Sequence, residues 1–290
     1  MTVGAALAFA LVGAVVSLLL TLYRASDTVT EDGRFYLAAG VGTVPPRPYH
    51  LRWLLPRILG SSLNAWRVVS WLSLILTAPA MAWHLRAHGG AQALTGALIW
   101  ACLPLFRVCA RCPVLVDAPA VLVALVIATL AGGHPATAAG VAALSGTLSE
   151  RAWLFAALWS WSPMPLAGAL GVALVAALRR PGSIPSWARA WLTHPMREAR
   201  RRHGPLLDDP GALVLPWGAC AVAVAGHWTL AAAITVGVAY AQIFVANDMT
   251  RLYQWAAPSV LGVALPMIPP WARPLAVGVT WFNPWGRVRF

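Results

Sequence analysis

Long apolar runs, separated by two polar stretches, organise this chain. The first run covers residues 3–23 and is unbroken from Ala5 to Leu22. A membrane-crossing helix needs ~20 predominantly apolar residues, so this run predicts a first span rather than a shorter, cleaved signal segment. Further runs predict spans over roughly 64–84, 91–108 and 114–132, a short one over 136–148, and one over 152–178. Residues 212–246 are again apolar, with a break at Gly226-His227, and apolar sequence resumes after Tyr253 to about Ile268. A tail with Pro269, Pro270, Pro274 and Pro284 follows. Barrel strands would alternate over ~10 residues, and these runs do not alternate. The pattern predicts an all-α, polytopic transmembrane helix bundle of about seven to nine spans, forming a single membrane domain over 1–290.

The polar stretches set its orientation. Residues 24–60 hold Asp27, Glu31, Asp32, Arg34, Arg47, Arg52 and Arg57, with Pro45, Pro46 and Pro48 breaking helix near the middle. From Tyr49 to Leu59, Arg52 and Arg57 interleave with Leu and Trp53, a pattern that suits a short amphipathic helix lying on the membrane. Residues 179–211 carry the densest basic block, including Arg200, Arg201 and Arg202, which the positive-inside rule makes a cytoplasmic loop. Counting spans back from it places 24–60 outside, together with the turns at 109–114 and 149–151. Arginines outside run against the rule. A site for an anionic substrate would account for them.

Composition narrows the class. Hydrophobic residues make up 59% and charged ones 10%, against roughly 25% charged in soluble domains. That excludes a water-soluble globular fold, and such hydrophobicity excludes disorder. The formal charge is +12, and all 21 basic residues are Arg. With the apolar runs, this reads as anchoring and contact with anionic lipid, not nucleic-acid binding. The Arg-only basic set and the abundance of Ala, Gly, Val and Leu point to a GC-rich bacterial genome; the expected location of the multi-pass chain is a bacterial inner membrane. Cys109-x-x-Cys112 lacks the second ligand pair of a zinc site and reads as apolar packing at a helix end.

Acids beside apolar spans are costly and often functional. Asp27, Glu31, Asp32, Asp117 and Glu150 all fall on the outer side of the counted topology. Asp32 suits a general base for an acceptor hydroxyl or a helix N-cap. Asp117, ahead of Pro119, suits the start of a helix. Glu150-Arg151 suits a local ion pair, and Asp248-x-x-Arg251 a helical i,i+3 pair. Arg251 equally suits a lipid phosphate. There is no HExxH, GxSxG or Walker loop.

The order of these pieces is more specific than any one. Asp32-x-x-x-Tyr36 follows the first span. Then come Pro48-Tyr49-His50-Leu51-Arg52-Trp53-Leu54-Leu55-Pro56, Asp117 opening a span, Glu150-Arg151 opening another, and Asp248-x-x-Arg251 ahead of Pro258. This resembles the bacterial integral-membrane glycosyltransferases of the GT-C superfamily, over about residues 1–260. The resemblance implies a GT-C-like bundle and transfer of a hexosyl or pentosyl unit from a polyprenyl-phosphate sugar to an acceptor hydroxyl. The acceptor would be a glycan, lipid or protein. It implies Asp32 as the base, with Asp27 second. Arg52, Arg151 and Arg251 are implied as donor-phosphate ligands, and Tyr36, Tyr49, Asp117, Glu150 and Asp248 as substrate contacts. The resemblance fixes no cofactor and leaves a role for a divalent cation open. The competing classes are a membrane acyltransferase, which would want a His–acid pair, and a lipid flippase or transporter, which would favour internal repeats.

Overall fold

Glycine and proline cut the chain into more helices than its apolar runs suggest. A computed structural model describes residues 1–24, 28–46, 49–178, 184, 189–190, 193–207, 214–242 and 254–283. Among these the regular structure is all helical. In chain order it runs α1 (Val3–Arg24), α2 (Glu31–Gly40), α3 (Leu54–Leu59), α4 (Leu63–His84), α5 (Gly90–Cys102), α6 (Pro104–Arg111), α7 (Asp117–Ala131), α8 (Pro135–Ser145), α9 (Glu150–Ser160) and α10 (Gly168–Leu178). Helices Pro195–Leu207, Leu230–Ala241, Ala257–Ala264 and Arg273–Phe282 follow.

Two helices, α1 and α4, are long and apolar enough to cross a membrane. A third span is added if α5 and α6, bent by 50° between Cys102 and Pro104, are one broken span. These match the expected spans at 3–23, 64–84 and 91–108. The expected 114–132 span is a helix of 15 residues, about 22 Å long, short of the ~30 Å hydrocarbon layer. The 136–148 segment is a helix of 11 residues.

The single span expected over 152–178 is two helices. Trp161 adopts the left-handed conformation (φ 50°) and caps α9. Pro163 and Pro165 follow in a 3-10 turn before α10. A proline cannot continue the preceding ladder, and it biases the residue before it away from helix. The alternation that placed 24–60 outside loses its fixed parity with this break. Residues 24–60 hold one helix the pattern did not predict, α2. The expected amphipathic helix is a 3-10 turn, Tyr49–Leu51, followed by the short α3. The interruption has a cause: the N–H groups of Trp53 and Leu54 both donate to the Thr147 carbonyl, each at 3.0 Å. The expected break at Gly226 is present, between a 3-10 helix Leu215–Ala225 and helix Leu230–Ala241. Parts of the basic 179–211 loop lie outside the described residues, and its described portion holds helix Pro195–Leu207. The proline-bearing tail contains helix Arg273–Phe282, which tolerates Pro274 because a first-turn N–H needs no intrahelical acceptor.

The chain packs as two compact units. The first comprises Met1–Ser17, Met81–Val108 and Ser186–Phe290. In it, Ala6, Ala10 and Ala14 form a buried stripe on α1, while Phe9 and Val12 are each 59% exposed on the opposite side. Small residues inside and large apolar ones outside is the pattern of a helix that packs on protein and faces lipid. Ser17 Oγ ties this stripe to the Ala101 carbonyl at 2.5 Å. Arg107 caps the end of Arg273–Phe282 by donating to the Thr280 and Trp281 carbonyls at 3.1 and 2.6 Å.

The second unit comprises Leu18–Ala80 and Cys109–Pro185. Here α7 packs on α8 and α9, and α8 on α10. Gly146 and Gly171 let α8 and α10 approach so closely that a Cβ on either would collide with backbone of the other segment. All of the candidate site described below belongs to this unit.

Candidate active site

Three helix starts build the site. Thr30 is the N-cap of α2, accepting from Gly33 N at 3.2 Å. Asp32 is therefore not the cap. It sits in the first turn, where the helix dipole favours a carboxylate. Ser149 caps α9 and accepts from Arg151 N at 3.3 Å, which places Glu150 in that helix's first turn. Asp117 opens α7, as expected. Gly33 is buried against Val114, whose carbonyl leaves little room for a larger residue, so α2 lies close over the approach to α7.

The side chains then meet across large sequence separations. Tyr49 Oη donates to Asp32 Oδ1 at 2.5 Å. Arg52 Nη1 donates to Tyr36 Oη at 2.8 Å. Arg52 also grips Glu150 with two nitrogens: Nε donates to Oε2 at 3.1 Å, and Nη2 donates to Oε1. Arg151 Nη1 donates to Asp117 Oδ1 at 2.9 Å. Glu150 and Arg151 thus do not pair with each other as their adjacency suggested. Each reaches a different element, since neighbouring helix residues do not share a face.

Aromatic rings fill the spaces between these bonds. Tyr49 lies 4.9 Å from Phe35 and 5.7 Å from Tyr36, centroid to centroid, and the Arg52 guanidinium is 5.8 Å from its ring centre. Trp66 stacks on Tyr36 at 6.0 Å and donates its indole N–H to the Gly60 carbonyl. Trp66 and Thr147 both shape the site, and neither carries a sequence signal for it: one is a buried aromatic on α4, the other acts through its backbone.

Burial separates the roles. Arg52 is 6% exposed and Glu150 is 38% exposed. Asp117 and Arg151 are 3% and 13% exposed. Burial pushes the Glu150 carboxyl up, but the Arg52 charge, its hydrogen bonds and Arg151 outweigh this and hold it at about 2. Burial also opposes the Arg52 charge, yet Glu150 and Tyr36 keep it firmly protonated. Burial pushes the Tyr36 phenol up to about 12. Burial and the Asp32 charge push Tyr49 up further, so its proton stays on the phenol.

The arrangement has a chemical reading. Glu150 is gripped by a guanidinium and is too weak a base to take a proton from a hydroxyl. Asp117 is engaged by Arg151. Asp32 accepts from a neutral phenol and remains partly open to solvent. Asp27, Asp248 and Arg251 lie outside the described residues, as does Arg47. Glu31 and Arg34 are exposed on α2, and Arg57 on α3. Among the described residues, no three His, Cys, Asp or Glu side chains come together as metal ligands. The four cysteines are buried thiols. Comparison with protein-family models, curated proteins and solved structures returns no match to the chain.

Proposed function

We propose that this protein is a multi-pass glycosyltransferase of GT-C type in a bacterial inner membrane, with the 24–60 segment at the external face. It moves a sugar from a polyprenyl-phosphate donor to an acceptor hydroxyl. Asp32 takes the hydroxyl proton as the oxygen attacks the anomeric carbon. The bond from that carbon to the phosphate oxygen breaks in the same displacement. The anomeric configuration inverts, and polyprenyl phosphate leaves with the bonding electrons. Its growing charge calls for a cation, a role for Arg151. Tyr36 and Tyr49 flank the acceptor, with Asp117 and Glu150 completing the pocket.

The observation that carries this reading is the Asp32–Tyr49 hydrogen bond, set in a cluster drawn from the three polar junctions at residues 31–36, 49–52 and 117/150–151. An acid that served only to anchor the chain would have no need of this enclosure. The test is incubation of the purified chain with synthetic polyprenyl-phosphate sugars and simple hydroxyl acceptors. The expected products are free polyprenyl phosphate and an inverted glycoside. Formation of acylated products from acyl donors, or movement of intact lipid across vesicles without sugar transfer, would replace this reading with one of its competitors.

A further inference from the structure

We infer that Arg52 and Glu150 are positioning residues that act through Tyr49, whose phenol fixes the direction in which the Asp32 carboxylate faces. This rests on the reading of Asp32 as the base. It assigns Arg52 a different part from that of a donor-phosphate ligand.

The geometry gives the reason. Asp32 and Tyr36 are one turn apart on α2 and so share a face. Arg52 joins that face to α9, with Nη1 on Tyr36 and with Nε and Nη2 on Glu150. A planar guanidinium used in two directions has little freedom left. Arg52 and Tyr49 belong to one turn, closed by Arg52 N donating to the Tyr49 carbonyl at 3.1 Å. Where Arg52 is held, Tyr49 is held. The following residues, Trp53 and Leu54, are fixed as well through the Thr147 carbonyl, three residues before Glu150. The Tyr49 ring therefore sits in a slot bounded by Phe35, Tyr36 and Arg52, with its hydroxyl on Asp32. One carboxylate oxygen is pinned by a fixed donor, and this sets the orientation of the other. A phosphate would have to displace Glu150 from a bidentate pair.

The two roles predict different kinetics. A phosphate ligand affects donor binding, whereas a positioning residue affects the chemical step. The experiment uses the full chain in lipid nanodiscs carrying tyrosine labelled with carbon-13 at Cζ. The Tyr49 resonance is assigned by its disappearance in Tyr49→Phe. Glu150→Gln should move that resonance and lower kcat about 100-fold, the scale of a 1 Å misplacement, with the donor KM unchanged. Arg52→Lys keeps a charge but cannot span both Glu150 and Tyr36. It should move the resonance in the same way, and it serves if Glu150→Gln does not fold. Arg57→Gln, on the exposed side of α3, should do neither. An unmoved Tyr49 resonance, or a raised donor KM at constant kcat, would overturn the assignment. If the wild-type chain turns over no polyprenyl-phosphate sugar, the glycosyl-transfer reading falls, and the Tyr49 resonance still decides the positioning role.

Discussion

Arg52 holds Glu150 with two nitrogens although 98 residues separate them in the chain. The bond ties the first polar segment to the start of α9 and makes one site from two distant pieces of sequence. It also makes part of the fold sensitive to acid. The Glu150 carboxyl is held at about 2, against an ordinary value of 4.5. A carboxylate with a depressed value contributes stability above its ordinary value and loses that contribution as pH falls toward the depressed one. The thermal midpoint of the detergent-solubilised chain should therefore fall between about pH 4.5 and pH 2. Glu150→Gln should start lower and lose less across the same window. Equal slopes for the two chains would show that this pair does not couple pH to folding.

The second pair, Asp117 with Arg151, is more fully enclosed. Removing one member of a buried pair leaves the other charge without compensation, at a cost of about 3–5 kcal/mol. Asp117→Ala should destabilise the chain on that scale. Replacing both residues, Asp117→Leu with Arg151→Met, should recover much of the loss, because apolar residues of similar volume often substitute for a buried pair. Unfolding in graded denaturing detergent measures both. A double variant no more stable than the single one would point to a structural need for the charges themselves.

Gly171 offers a test of the packing behind the site. Any Cβ there meets the Ala143 carbonyl, so α8 and α10 must separate to accept one. Gly171→Ala should cost about 1–3 kcal/mol, the usual range for overpacking. Gly140→Ala, on the same α8 but with open space around it, should be neutral or slightly stabilising because alanine is the better helix former. Thermal unfolding of the two variants side by side separates the cases.

Much of this architecture was legible in the sequence, and the exceptions have physical causes. The spans at α1 and α4 were clear because each is continuous and apolar for more than 20 residues. The run over 152–178 misled because Leu, Ala and Trp keep it hydrophobic straight through the turn at Trp161, while Pro163 and Pro165 mark the stop. Helix α2 was missed because its polar first turn and Gly33 hide its period. Its cap, Thr30, precedes the acid that looked like one. At the site, Asp32, Tyr36, Tyr49, Arg52, Asp117, Glu150 and Arg151 were all visible as candidates, since ionisable groups stand out in so apolar a chain. Their pairing was not visible. Adjacency suggested Glu150 with Arg151, whereas the partners lie 98 and 34 residues away and are set by how α7, α9 and the Tyr49–Leu51 turn pack.

In the proposed reaction Asp32 receives the acceptor's proton during sugar transfer. The most direct measurement compares sugar transfer from a polyprenyl-phosphate donor by the wild-type chain and by Asp32→Asn, each shown to be folded by an unchanged thermal midpoint. Asparagine keeps the shape and can still accept from Tyr49, but it cannot take up a proton. The expected result is transfer by the wild type and a loss of about 10²–10⁴-fold in kcat for the variant, the range that general-base catalysis supplies. Transfer by Asp32→Asn at the wild-type rate would contradict the account.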